Sequence, residues 1–181
     1  ETQNKILEEK YQELVNAYGY EDQFAYHLEE SKILFRDIYD LNKKITIFKG
    51  EKDGIQEKNL VVNEQGLVGI VCKVHQNSSD VDLITKENIN LSVKINDNYG
   101  ILKYENQEFI VSGINNKGEV NVGDAVFTSD ISIYPEKILI GQVEEVMFDH
   151  YEIEKVIKVN TAVDFKNLKF ISIIKDLRGE E

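Results

Sequence analysis

The sequence predicts a mainly β protein: an N-terminal helix that ends a coiled coil, followed by two small β-barrel-like domains. Three observations lead there. An apolar seam of helical period is confined to residues 1–18, the periodicity drops to two from residue 33 onward, and part of the two-periodic region is faintly duplicated. A chain of 181 residues has room for one composite core or two small ones.

Leu7, Tyr11, Leu14 and Tyr18 follow one another at spacings of 4, 3 and 4 in a stretch rich in Glu, Lys and Gln. That is a heptad seam and the expected self-association surface, forming a parallel homodimer or higher oligomer. The same spacing fits a single amphipathic helix lying on its own domain. Gly19 stands where a helix terminator belongs, and 21–30 has the composition to resume helix, so 1–31 is read as the helical segment. Position 1 is Glu and the only methionine is Met147, so a piece upstream is expected.

Strand candidates then follow in close succession at 33–38, 44–48, 60–63, 68–74, 81–85, 91–95, 101–104, 109–112, 125–128, 138–146, 153–159 and 170–174. Asp53-Gly54, Asn115-Asn116-Lys117-Gly118 and Gly123-Asp124 punctuate them as turns. With no helical stretch between them, such strands close small barrels or a sandwich. Ile55, Leu60, Val61 and Val62 match Val120, Ala125, Val126 and Phe127 at an offset of 65, and Gly69, Val71 and Val74 match Gly141, Val143 and Val146 at an offset of 72. The repeat predicts two related β units, placed at 32–112 and 113–181, with strands open to exchange between them.

Composition narrows the function. With 21 Lys and Arg against 33 Asp and Glu, the net charge of −12 repels phosphate backbones, so no nucleic acid is expected as a partner. A lone Cys72 excludes an intrachain disulfide, and Cys72 with His75 falls short of a zinc ligand set. His27, His75 and His150 are far apart, His150 reading as a turn tip, and Ser78 and Ser79 read as loop residues without a base. Neither a nucleotide-binding loop nor a nucleophile elbow is present, so an enzyme, a cofactor and a metal are not expected.

The order of several short pieces resembles the MreC family of bacterial rod-shape-determining proteins: Phe35-Arg36-Asp37, Ile45-Thr46-Ile47-Phe48-Lys49-Gly50, Lys52-Asp53-Gly54-Ile55 and Val61-Val62-Asn63-Glu64-Gln65-Gly66-Leu67-Val68-Gly69. Further along come Val122-Gly123-Asp124-Ala125-Val126-Phe127-Thr128-Ser129, Ile133-Tyr134-Pro135, Ile140-Gly141-Gln142-Val143 and Ala162-Val163-Asp164-Phe165. The resemblance implies structural roles for Gly54, Gly66, Gly69, Gly123, Asp124, Thr128, Ser129, Pro135 and Gly141. It also implies a single-pass anchor upstream, with this region on the extracytoplasmic side of the cell membrane. The function it implies is a non-enzymatic scaffold of the cell-elongation machinery, with MreD, a penicillin-binding transpeptidase and, indirectly, MreB as partners. One departure stands out: family members carry glycines after Thr-Ser, where this chain has Asp130-Ile131-Ser132.

That same segment is the partner-binding candidate, through Ile131, Ile133 and Tyr134, because it interrupts the repeat and sets apolar side chains in a polar loop. A hairpin connection whose isoleucines close one barrel end fits it too. The competing function is a periplasmic membrane-fusion adaptor of an efflux or secretion system, which needs lipoyl-like halves on both sides of a helical hairpin. A PDZ-like fragment of an exported protease, read on 54–66, lacks a catalytic serine context.

Overall fold

A computed structural model describes residues 27–37, 39–40 and 43–175, so the seam of Leu7, Tyr11, Leu14 and Tyr18 lies outside the described residues. Five strands come first: β1 (His27–Arg36), β2 (Lys44–Ile47), β3 (Leu60–Val62), β4 (Leu67–Val74) and β5 (Ser79–Leu83). Seven follow: β6 (Leu91–Ile95), β7 (Asn98–Glu105), β8 (Glu108–Asn115), β9 (Ala125–Thr128), β10 (Leu139–Phe148), β11 (Glu154–Thr161) and β12 (Phe170–Lys175). They close two antiparallel barrels, ordered β1-β12-β3-β4-β5-β2 and β10-β11-β8-β7-β6-β9.

The two barrels are topologically equivalent. Going round each, β7, β6, β9, β10, β11 and β8 fall where β1, β12, β3, β4, β5 and β2 do. The offsets of 65 and 72 reappear as hydrogen bonds: Lys58 N donates to Val71 O, and Gly123 N donates to Val143 O. The one difference in chain order is that β6 opens the second barrel, whereas its counterpart β12 returns from the far end of the chain to close the first.

Three expectations are corrected here. Residues from His27 onward are strand rather than helix, because β1 pairs in register with β12, from His27 opposite Lys175 to Lys32 opposite Phe170, and tertiary pairing overrides the local Glu-rich composition. The cut drawn at residue 112 falls within β8, since β6, β7 and β8 all belong to the second barrel and β12 to the first. Ser79 is likewise no loop residue: it is fully buried in β5, and its hydroxyl donates to Lys49 O at 2.7 Å.

Alternation fills both interiors with small branched side chains, as narrow barrels require. Ile45, Ile47, Val81, Leu83, Ile171 and Ile173 line the first, and Leu91, Val93, Ile95, Val111, Ile157 and Val159 the second, all nearly or fully buried. The barrels meet through the return segment 162–169. Phe165 is buried and stacks on Phe109 of β8 at 6.3 Å. Arg36 of β1 donates to the carbonyls of Phe165 and Lys166, and Asp164 N donates to the Gln65 side chain at 2.8 Å.

An ion-pair cluster ties β12 down at the opposite end of β1. Glu29 receives Lys49 at 2.6 Å and Lys175 at 3.0 Å, while the Lys175 ammonium also donates to Asp53 O at 2.6 Å. The hydrogen bond from Lys49, then that from Lys175, holds the Glu29 carboxyl below its ordinary value. A carboxyl depressed in the folded state adds stability above its unfolded value of 4.5, and that stability is lost as pH falls through the folded value. Replacing Glu29 by Gln should therefore cost about 1 kcal/mol at neutral pH and flatten the acid limb of the stability curve, as measured by urea unfolding from pH 7 downward. An acid limb with the same slope in the variant would contradict this.

Candidate partner-docking surface

The outer face of the second barrel carries an apolar patch built from β6, β7 and the loop 129–137. Side chains alternate across a strand, so Tyr99 and Ile101 of β7 point outward, opposite Lys94 and Ser92 of β6. Tyr99 and Ile101 are both more than a third exposed. Where β9 ends, Ser129 N donates to Ser92 O at 3.1 Å and the two serine hydroxyls meet at 2.7 Å. The next residue, Asp130, accepts the Tyr99 hydroxyl at 2.9 Å, so the loop leans across β6 toward β7. That hydrogen bond holds the Asp130 carboxyl below its ordinary value, and Lys94 lies 5.1 Å above the Tyr99 ring.

Ile131 and Ile133 emerge from this anchored loop and are exposed at 66% and 68%. Two β-branched side chains that far in water do not close the end of a core. Tyr134 behaves differently. It packs half-buried against the core, and burial raises its phenol above the ordinary value.

The non-glycine turn has a physical substitute. The Ser132 hydroxyl donates to Ser129 O at 3.3 Å and accepts Tyr134 N at 3.2 Å, so a serine turn does the bending. The left-handed conformation falls on Lys137 instead, at φ 62°. Thr128, 2% exposed, ties the loop base: its hydroxyl donates to Pro135 O at 2.7 Å and accepts Ile138 N at 2.9 Å. Ser129 is fully buried.

The other motif residues are dispersed and hold turns and strand crossings. Gly54 and Gly123 take left-handed conformations at φ 76° and 93°, and Asp124 accepts Asn121 N and the Asn96 amide, both at 2.8 Å. Gly66 faces Leu139 O across the barrel junction. Gly69 and Gly141, equivalent by the repeat, each lie against a neighbouring strand's carbonyl, that of Asp82 and that of Asn160. Cys72 donates weakly to Asp80 O at 3.3 Å with His75 beside Asp80 at 3.4 Å, an arrangement that satisfies the outer face of β4 and β5. Among the described residues no three His, Cys, Asp or Glu side chains converge on a metal position.

A sequence model of the family described as "Rod shape-determining protein MreC, barrel core" matches residues 33–175. The chain belongs to the MreC family. The cell shape-determining protein MreC of Streptococcus pneumoniae is 27% identical over 152 residues, covering 78% of this chain and 56% of that protein. This chain therefore spans about half the length of that curated relative. The solved structure of MreC from Listeria monocytogenes superposes with a TM-score of 0.79 at 21% identity, covering 96% of this chain and 88% of that one. A complex between Penicillin-Binding Protein PBP2 and MreC from Helicobacter pylori supplies a further match, with a TM-score of 0.63 at 20% identity over 83% of this chain and 100% of that one. The membrane-fusion adaptor reading needed lipoyl-like halves around a helical hairpin; the described strands instead form the two-barrel core of the MreC family. Among the described residues no helix is long and apolar enough to cross a membrane.

Proposed function

We propose that this chain is a non-enzymatic scaffold of the bacterial cell-elongation machinery, maintaining cell shape by organising peptidoglycan-synthesis enzymes. Membership in a family of rod shape-determining barrels supports that reading. The direct partner is a penicillin-binding transpeptidase, as the Helicobacter pylori complex between PBP2 and MreC suggests by analogy. Wall cross-linking takes place outside the cytoplasm, so the barrels belong on the extracytoplasmic side, tethered by a single-pass anchor upstream. MreD is a further partner and MreB an indirect one. The seam of Leu7, Tyr11, Leu14 and Tyr18 pairs two copies in a homodimer or higher oligomer.

The observation that carries the proposal is the anchored apolar patch of Tyr99, Ile101, Ile131 and Ile133, whose central loop is fixed by the Tyr99–Asp130 and Ser92–Ser129 contacts. A preorganised patch loses little entropy on docking. An Ile131→Ser, Ile133→Ser double variant should weaken binding to the cognate transpeptidase at least ~10-fold, about 1.4 kcal/mol, with melting nearly unchanged. Tyr134→Ala should lower stability by about 1–2 kcal/mol, since its ring is half-buried against the core. Calorimetric titration and thermal melting of the three proteins decide it. Unchanged affinity in the isoleucine variant removes this patch as the docking surface.

A further inference from the structure

The equivalent barrels differ in how far one strand edge runs, although the chain's own segment meets the hairpin turn in both, Asn116 N donating to Ile153 O in the second. In the first barrel β4 turns back after Val74, and its turn is capped by the chain's own segment: Glu51 N donates to His75 O at 2.9 Å and Lys52 N to Gln76 O at 3.3 Å. In the second barrel β10 continues to Phe148 before turning, two residues beyond Val146, the counterpart of Val74. Its neighbour β9 starts only at Ala125, opposite Gln142. Upstream of β9 the chain turns at 121–124, where Asp124 N donates to Asn121 O, and Val120 is buried. Past Val143, whose N–H and C=O pair with Asp124 and Gly123, one side of β10 has no strand partner among the described residues.

Antiparallel pairs alternate between hydrogen-bonded and non-bonded positions. Asp149 N donates to Glu154 O, so Met147 opposite Val156 is bonded to β11. Val146 and Phe148 therefore turn their backbone groups to the vacant side. Met147 and Phe148 are 36% and 55% exposed there, and Val122 at 68% flanks the edge where Gly123 meets Val143. Over 144–158 the hairpin carries Glu144, Glu145, Asp149, Glu152 and Glu154 against Lys155 and Lys158, a net charge of 2 − 5 = −3.

We propose that the free edge of β10 at 144–148 is a docking site for an extended, cationic segment of a partner protein, added antiparallel in the place that β9 leaves vacant. Main-chain hydrogen bonds to Val146 and Phe148 supply the register, and alternate apolar side chains lie against Phe148 and Val122. The acidic hairpin selects positive charge in the segment. It also disfavours a second copy of this chain as the occupant, since each copy carries −12.

The test is a titration of the isotope-labelled chain with a blocked eight-residue peptide alternating Lys and Val, followed by amide chemical shifts at low and high salt. Shift changes should centre on residues 144–148 and 122–123, weaken as salt rises, and be absent with the same peptide alternating Glu and Val. N-methylating the peptide backbone on alternate residues along its bonding edge should weaken binding at least ~10-fold, and Phe148→Pro should do the same. The peptide modification leaves the protein intact, so the result stands even if that variant folds poorly. No shifts at these residues, equal binding of the acidic peptide, insensitivity to N-methylation, or edge shifts that depend on protein concentration without peptide would each overturn the assignment, the last in favour of a second copy.

Discussion

Cutting the chain after residue 169 should unfold the first barrel and leave the second folded. The second barrel is continuous in sequence, from Leu91 of β6 to Thr161 of β11, whereas the first cannot close without β12. The cut removes Ile171, Ile173 and Ile174, all at most 2% exposed, and burying three isoleucines is worth about 5–9 kcal/mol. That is the size of a whole domain's stability. It also strips the ladder partners from β1 on one side and β3 on the other, together with the Lys175 contacts to Glu29 and Asp53. In an amide correlation spectrum, resonances from 91–161 should stay dispersed while those from 27–83 collapse. The order of the strands offers a rescue. Lys175 lies directly opposite His27, so a chain in which β12 precedes β1 through a two-residue turn should close the first barrel by itself. Dispersed first-barrel resonances in the truncated chain would show that β12 is dispensable and that this account of closure is wrong.

Strand positions were legible because Ile, Val and Leu alternate with polar residues in short runs, the local trace of a narrow two-faced sheet. What the sequence hid was pairing between distant segments. The first half of β1, His27 to Glu30, carries two glutamates and no alternation, and only β12 makes it a strand. The same long-range pair displaced the domain cut, since a boundary drawn along the sequence has no means of returning the last strand to the first barrel. Ser79 reads as a turn residue until its hydroxyl is seen to satisfy Lys49 O. At the candidate docking surface, Ile131 and Ile133 stood out as isoleucines in a polar loop, and both are exposed. Tyr99 and Ile101 gave no such signal, because alternation cannot say which face of a strand meets water. Tyr134 carried the opposite ambiguity, and the core absorbs half of it.

Gly141→Ala should destabilise the second barrel by about 3 kcal/mol, the upper end of the ordinary cost of overpacking. A Cβ at Gly141 would run into the Asn160 carbonyl and the Thr161 Cα of β11, and backbone paired in a ladder cannot swing aside as a side chain can. Gly123→Ala makes the contrast. It has open space around it, so its cost is that of forcing an L residue to φ 93°, roughly 1–2 kcal/mol. Gly69→Ala should behave like Gly141→Ala, because its Cβ meets Asp82 O at the equivalent place in the first barrel. Melting of the three variants separates crowding from backbone strain: at roughly 2–4 °C per kcal/mol, Gly141→Ala and Gly69→Ala should each fall by about 6–12 °C and Gly123→Ala by roughly two-thirds of that or less. Equal losses at all three positions would mean that β4 and β10 can shift to admit a methyl group, and the close approach of strands at these two glycines would then not be what fixes barrel closure.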